Sequence, residues 1–440
     1  MDSSRRNGPK RIAFLSTRIS GTDGVSLEIE KWASVLESMG HTCYYIAGQC
    51  DDRPPERSWV IPEAHFRHPQ VDAITRHAFG RRIRTPAVSD QVRHVTRRIK
   101  LQLGEALKHF GIDVLIVENS VTIPMNIPLG LAVVETVMEN PIACVAHHHD
   151  FVWERDRFLN NAVDDYLRTA FPPPLEQIQH VAINSLAASE FSRRTGLPCA
   201  VVPNVMDFDH PPPPPDDYSH NFRRDVGLTE DDVLVLQPTR IVQRKGIETS
   251  IELMRVLDDP RYRLVITHSA GDEGAGYAER IHRYASLLGV EVIFAEDLIG
   301  PERGMDETGR RTYTIWDAYQ QADLITYPST YEGFGNAFLE SVYFRKPILC
   351  NRYSIFRTDI EPLGFNAIEL DGYLTDQVVE EVRRVVGDSA YRSAVVEKNF
   401  DIGRRYFSYR RVATEMHAIL SNPQLVAHGL QPEPCETQSR

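Results

Sequence analysis

Two glutamates eight positions apart, Glu332 and Glu340, bracket a glycine turn, Gly333-Phe334-Gly335-Asn336. An apolar run over 322–329 precedes the turn, and a helix-compatible run opening at Ala337 follows it over 337–342. Glycines at a strand-to-helix turn bare backbone N–H groups, and a helix start favours negative charge, so the turn is suited to a phosphate. Glu340, about two turns into that helix, is placed to meet ribose hydroxyls beside that phosphate. A second element supplies cations: Pro238-Thr239-Arg240-Ile241-Val242-Gln243-Arg244-Lys245-Gly246 follows another apolar stretch. Arg240 offers a fork of donors and Lys245 a mobile point charge, a sensible pair for two phosphates. The plain alternative is a solvated turn. It loses ground because both elements are expected at the carboxyl edge of one sheet, where open α/β folds bind ligands.

Three weaker signals accompany these. The turn 16–26 contains Gly24 at a helix start, where backbone could approach a phosphate, but its spacing is not that of a dinucleotide fingerprint. His147-His148-His149-Asp150 ends an apolar run. Adjacent residues of an extended chain face opposite ways, so the three histidines cannot all converge on one ion. His148 or His149 is the better placed to meet a sugar hydroxyl or a reacting oxygen, and a structural role accounts for at least one of the three. Arg76, Arg81, Arg82, Arg84, Arg93, Arg97, Arg98 and Lys100 stand against a single acid, Asp90, with Val92, Val95, Ile99 and Leu103 at helical spacing. The apolar stripe predicts a packed helix whose basic face is either solvated surface or a lure for an anionic acceptor or membrane. The anionic acceptor is preferred, with Arg81, Arg82 and Arg97 as candidate contacts. Asp207-Phe208-Asp209 is a D-x-D, but it adjoins a proline run and is set aside as a metal motif.

Positioning such residues requires strands that end at a common edge. Apolar runs at 12–16, 43–47, 114–117, 142–146, 181–183 and 200–202, then at 233–237, 264–267, 290–294, 324–327 and 348–350, alternate with helical patterns. This predicts α/β architecture with two doubly wound, Rossmann-like domains of parallel strands. The expected division is 1–205 for a first domain, 206–218 for a linker holding five consecutive prolines from Pro211 to Pro215, and 219–405 for a second domain. A helix over 406–424 and a patternless tail over 425–440 complete the reading.

At 440 residues two or three domains are expected, and a net charge of −12 argues against a nucleic-acid partner. The six cysteines form no close pair, so neither a disulfide framework nor zinc is expected. No apolar segment reads as a signal or membrane span, giving a cytoplasmic assignment. A glycosidase pair is disfavoured because eight helical residues would separate the glutamates by about 12 Å, beyond the spacing of either glycosidase class. A dehydrogenase would want the missing glycine fingerprint.

Taken together, Arg240-x4-Lys245-Gly246, the run from Tyr327 to Glu340 and the Gly24-Val25 loop resemble the retaining glycosyltransferases of family 4, over nearly the whole chain. The resemblance implies a GT-B fold, two Rossmann-like domains facing across a cleft, with a final helix crossing back to the first domain. It implies that Arg240 and Lys245 neutralise the donor diphosphate while the turn Gly333, Phe334, Gly335, Asn336 and Ala337 presents backbone donors. Glu332 would hold hydroxyls of the transferred hexose, Glu340 those of the ribose, and Gly24 would approach the donor phosphate. The histidine that touches the sugar would be His148 or His149. No metal or other cofactor is required. The stretch 336–344 with His148-His149-Asp150 resembles the branch that makes small glycosylated solutes such as mannosylglucosylglycerate. That implies GDP-mannose or UDP-glucose as donor and a small, anionic acceptor met by Asp150 and the basic segment. The alternatives are a membrane-surface transferase acting on a lipid-linked acceptor and a non-catalytic nucleotide-sugar-binding protein.

Overall fold

The computed structural model describes residues 8–21, 24–270 and 275–421. Thr22 and Asp23 of the first turn, Cys435 and the tail 425–440 lie outside the described residues. The chain divides into two compact units, one running to Pro203 and resuming at Arg410, the other spanning Asn204–Tyr409.

The first unit is built on seven strands: β1 (Arg11–Ser16), β2 (Thr42–Ala47), β3 (Ser58–Val60), β4 (Val114–Glu118), β5 (Ala143–His148), β6 (Ile178–Ala182) and β7 (Cys199–Val201). All pairs are parallel, in the order 3-2-1-4-5-6-7. Helices cover the faces, which is why β4 and β5 are buried from end to end. The helix Pro86–Phe110 turns Val92, Val95, Ile99 and Leu103 inward with no exposed surface, as its 3.6-residue stripe predicts. It stops at Gly111, whose φ of 60° lets its amide reach the carbonyls of Leu107 and Lys108. The strand order reverses between β1 and β4, so the crevice beyond their carboxyl ends is the expected ligand position of this unit.

The second unit holds β8 (Val233–Gln237), β9 (Tyr262–Ile266), β10 (Val292–Phe294), a small hairpin of β11 (Gly304–Met305) and β12 (Arg311–Thr312), then β13 (Leu324–Tyr327), β14 (Ile348–Asn351) and β15 (Ile368–Leu370). Its six-stranded parallel sheet runs 10-9-8-13-14-15, with the reversal between β8 and β13. Leu234, Val235, Leu236, Leu264, Ile266 and Leu324 have no exposed surface at its centre.

Most strands fall within two residues of their sequence positions. The short strands β3 and β15 and the hairpin escaped notice, because three-residue and two-residue pairings carry too little periodicity to register. The proline run belongs to the second unit: Gln320 donates to the Pro213 carbonyl at 3.0 Å, and Asp216 then caps the helix Asp217–Asp225 through Ser219. Tyr406 closes the helix Ser389–Tyr406, and a separate helix, Tyr409–Leu420, follows Phe407 and Ser408.

Candidate active site

The two loops singled out in the sequence leave β8 and β13, the two strands that flank the reversal of the second sheet. Backbone ties join them. Thr330 donates its amide to the Arg244 carbonyl at 2.8 Å, and the Arg244 guanidinium donates to the Tyr331 carbonyl at 3.3 Å. Gly246 makes this fit possible. Its φ is 62°, and a Cβ there would lie 2.4 Å from the Pro328 carbonyl oxygen. Beneath the loops, Ser250 and Thr326 both donate to Gln237 Oε1 (2.7 and 2.9 Å), and Gln237 donates to Thr239 at 2.9 Å. This buried network satisfies its polar atoms internally and braces the Arg/Lys loop.

On that support Glu332, 7% exposed, receives Lys245 Nζ on Oε1 and Arg244 on Oε2 at 2.8 Å. Burial opposes ionisation of Glu332, but the charges of Lys245 and Arg244 outweigh it and hold its carboxyl below the usual range. Burial, with Arg244 adding to it, lowers the Lys245 ammonium despite the pull of Glu332. Its Nζ also stands 5.3 Å from the Tyr327 ring centroid. Arg240 is exposed on the same loop. His268, just beyond β9, is pushed to about 4 by burial and then by Lys245 and Arg240, so it is neutral at pH 7.

The glycine turn ends at Gly335, φ 119°, and the helix Asn336–Tyr343 starts without a side-chain cap. A Cβ on Gly335 would sit 2.0 Å from Tyr353 Oη, which donates to the Phe334 carbonyl at 2.8 Å. The first ladder bonds run from Phe338 and Leu339 to the Gly335 carbonyl, so the amides of Asn336 and Ala337 precede that ladder. Asn336 Oδ1 accepts from Asn204 at 2.6 Å. Phe334 is 3% exposed and packs edge-on to Phe407, leaving its backbone as its polar face. Gly333 is half-buried and Ala337 buried. Because the helix begins at Asn336, Glu340 stands one turn into it rather than two, and Tyr319 donates to Glu340 Oε2 at 2.8 Å. Glu332 lies in the loop, so the helical spacing argument does not describe the pair.

In the first unit, His147 and His149 share one side of the chain and both meet Glu118 Oε2, at 2.9 and 3.1 Å. His148 faces the other way. Its ring nitrogens lie 2.6 Å from Thr122 Oγ1 and 2.9 Å from His180 Nδ1, among Phe151 and Phe191. Burial, then the neighbouring histidines, lowers its pKa well below 6.5, which makes it a neutral structural residue. His149 retains 12% side-chain exposure. Its pKa is raised, because the hydrogen bond and charge of Glu118 outweigh burial. Gly24 opens the helix Gly24–Ser38 and is exposed.

The expected acceptor contacts divide. Asp150 is held by Arg155 and by Asn119 Nδ2 at 3.4 Å. Arg81, Arg82 and Arg97 are exposed. Arg76, Arg84, Arg93, Arg98 and Lys100 each meet a carboxylate, which removes much of the basic surplus read from composition. Sequence reasoning missed Arg244, Tyr353, Tyr319 and Glu118. Arg244 stood in the same cationic run, and Glu118 closes a strand at the carboxyl edge, which was the available signal.

Residues 300–401 match the family described as glycosyl transferases group 1. The mannosylglucosylglycerate synthase of Thermotoga maritima is 31% identical over 435 residues, covering 91% of this chain and 97% of the relative. The synthase of the same name from Petrotoga mobilis is 32% identical over 384 residues, 82% of this chain and 86% of the relative. Among solved structures, a glycosyltransferase from Rickettsia africae superposes with a TM-score of 0.67 at 12% identity, covering 94% of this chain and 98% of its own. The two Rossmann-like units are thus those of the GT-B fold. With its cation-lined switch point and its curated relatives both on record, the chain belongs to the group 1 glycosyltransferases, in the branch that includes the mannosylglucosylglycerate synthases.

Proposed function

We propose that the protein is a retaining hexosyltransferase that moves mannose or glucose from a nucleotide diphosphate sugar, GDP-mannose or UDP-glucose, to a small anionic acceptor. One observation carries the reading: Arg244 and Lys245 share a single carboxylate, Glu332, at the switch point of the second unit, with Arg240 exposed on the same loop. Three cations and one anion leave two positive charges, the complement of the two negative charges on the bound donor's diphosphate. Neutral His268 neither adds to nor subtracts from that balance. The relatives' name describes a product that ends in a glycerate, which supports a small anionic acceptor.

Breaking the anomeric C–O bond sends its electron pair to the diphosphate and leaves positive charge on the sugar. Cations already fixed at that diphosphate stabilise the developing charge without reorganising. The acceptor oxygen attacks from the face the diphosphate leaves, and its proton passes to the departing phosphate oxygen. No divalent metal is needed at the diphosphate, since Arg240, Arg244 and Lys245 supply its charge. Donor binding draws Lys245 partly away from Glu332, freeing carboxylate oxygens for hexose hydroxyls. The amides of Asn336 and Ala337 meet the phosphates, and Glu340 accepts from the ribose while keeping Tyr319 on its other side. His149 is the histidine read as touching the sugar.

A thermal-shift panel of UDP-, GDP- and ADP-sugars tests the reading. A bound donor at 100 times its Kd stabilises by about 2.7 kcal/mol, so one nucleotide should stand apart. A panel in which no nucleotide sugar moves the transition would remove the proposal.

A further inference from the structure

Glu118, His147 and His149 form a donor set that the glycosyl-transfer reading does not use in full. Register builds it: Glu118 ends β4, directly opposite His147 on β5, and His149 lies two residues on, so all three side chains share one side of the sheet edge. Their ligating atoms lie within 4.8 Å of one another, with separations of 2.9 and 3.1 Å to Glu118 Oε2. Donors held at about 2.0–2.1 Å around one ion stand about 2.9–3.4 Å apart, so two edges of the triangle already have that length.

A second observation points the same way. Glu118 is wholly buried, and its Oε1 has no hydrogen-bond partner among the described residues. Among the described residues the Glu118 carboxylate meets only the two imidazoles, whereas the nearby Glu28 and Asp150 pair with Lys31 and Arg155. The surroundings are those of a built site. Trp32 stacks on the His147 ring with centroids 4.1 Å apart and walls off water. Asn119, at φ 56°, donates its amide to the His147 carbonyl (3.0 Å) and accepts the His149 amide on Oδ1 (3.3 Å), fixing both strand ends.

We infer that Glu118, His147 and His149 bind one divalent transition-metal ion of the zinc type, with a coordination position left open. Two imidazoles and one carboxylate are the ligand set of three-ligand zinc sites, and the set favours Zn²⁺ or Co²⁺ over Mg²⁺. The ion would sit in the first unit, and its role would be to hold the His149 ring. The inference does not depend on the donor reading, which concerns the diphosphate cations of the second unit.

The full chain, stripped with chelator and dialysed, is titrated with Co²⁺ and followed by its visible d–d absorption. One equivalent should bind and be displaced by Zn²⁺. Glu118→Gln and His147→Asn should each weaken Co²⁺ at least about 100-fold, a loss at the upper end of that for removing even a supporting partner of a ligand. Both variants are checked by circular dichroism, and His210→Asn, at a remote His–Asp pair, serves as a control that leaves affinity unchanged. Absence of stoichiometric binding by the native chain overturns the inference and leaves a hydrogen-bonded triad. Equal affinity in a folded Glu118→Gln variant overturns it too. Donor thermal shifts on the protein as purified, before stripping, separate the two proposals: their absence strikes the second unit's diphosphate site, whereas their presence beside failed Co²⁺ binding strikes only the metal site.

Discussion

Glu332 is the residue on which the candidate site turns, because it is a buried anion answering two cations. Breaking a buried pair by removing one partner costs about 3–5 kcal/mol, so Glu332→Gln should be markedly less stable than the native chain at pH 7. The sign with pH follows from its lowered pKa. A carboxyl depressed in the folded state contributes stability above its unfolded value, near 4.5, and loses it as pH falls through the folded value. The gap between native and Glu332→Gln proteins should therefore be widest at neutral pH and narrow below about pH 4.5 in urea unfolding. A gap that widens in acid would contradict the assigned charge. Lys245→Ala should cut turnover about 10²–10³-fold with a saturating nucleotide sugar, by analogy with loss of one preorganised donor. A folded variant with near-native turnover would end that role.

At the scale of elements, two glycines decide how closely the loops after β8 and β13 approach. Gly335→Ala combines φ 119° with a Cβ 2.0 Å from Tyr353 Oη, so it should destabilise by about 1–3 kcal/mol and weaken donor binding. Adding Tyr353→Phe removes that oxygen, and the next ring atom is 3.2 Å away. The double variant should then recover part of the loss, the remainder being backbone strain. If it recovers none, the clash is not what Gly335 avoids. Glu340→Ala removes an acceptor one turn into the helix Asn336–Tyr343, and donor Kd should rise roughly tenfold, the size of one hydrogen bond to a charged group. An unchanged donor Kd would count against ribose contact. Strand identity was legible at this scale from apolar runs, since buried parallel strands carry little else. Residues such as Tyr353 and Tyr319 were not, because their hydroxyls reach the site from the elements before and after it, 21 and 19 residues from the groups they meet, beyond any local periodicity.

For the whole molecule, the formal charge of −12 and the ion pairs of the basic segment bear on the choice of acceptor. Five of its eight cations face carboxylates, leaving Arg81, Arg82 and Arg97 without a carboxylate partner among the described residues. No helix among the described residues is long and apolar enough to cross a membrane. With most of the basic segment paired, co-sedimentation with anionic liposomes should be negligible at about 0.15 M salt, where exposed charges are screened beyond about 8 Å. Salt-sensitive pelleting would favour the membrane-surface reading instead.

From the chain alone came the two Rossmann-like sheets, the pairing of an Arg/Lys loop with a glycine turn, and the kinship with sugar transferases. These are local or periodic properties, written into consecutive residues. Only the folded molecule assigned Glu332 to Lys245 and Arg244, turned His148 into the core, and joined Glu118 to His147 and His149. Those partnerships depend on which strands are neighbours and in what register, and sheet order is a long-range outcome that no stretch of consecutive residues encodes.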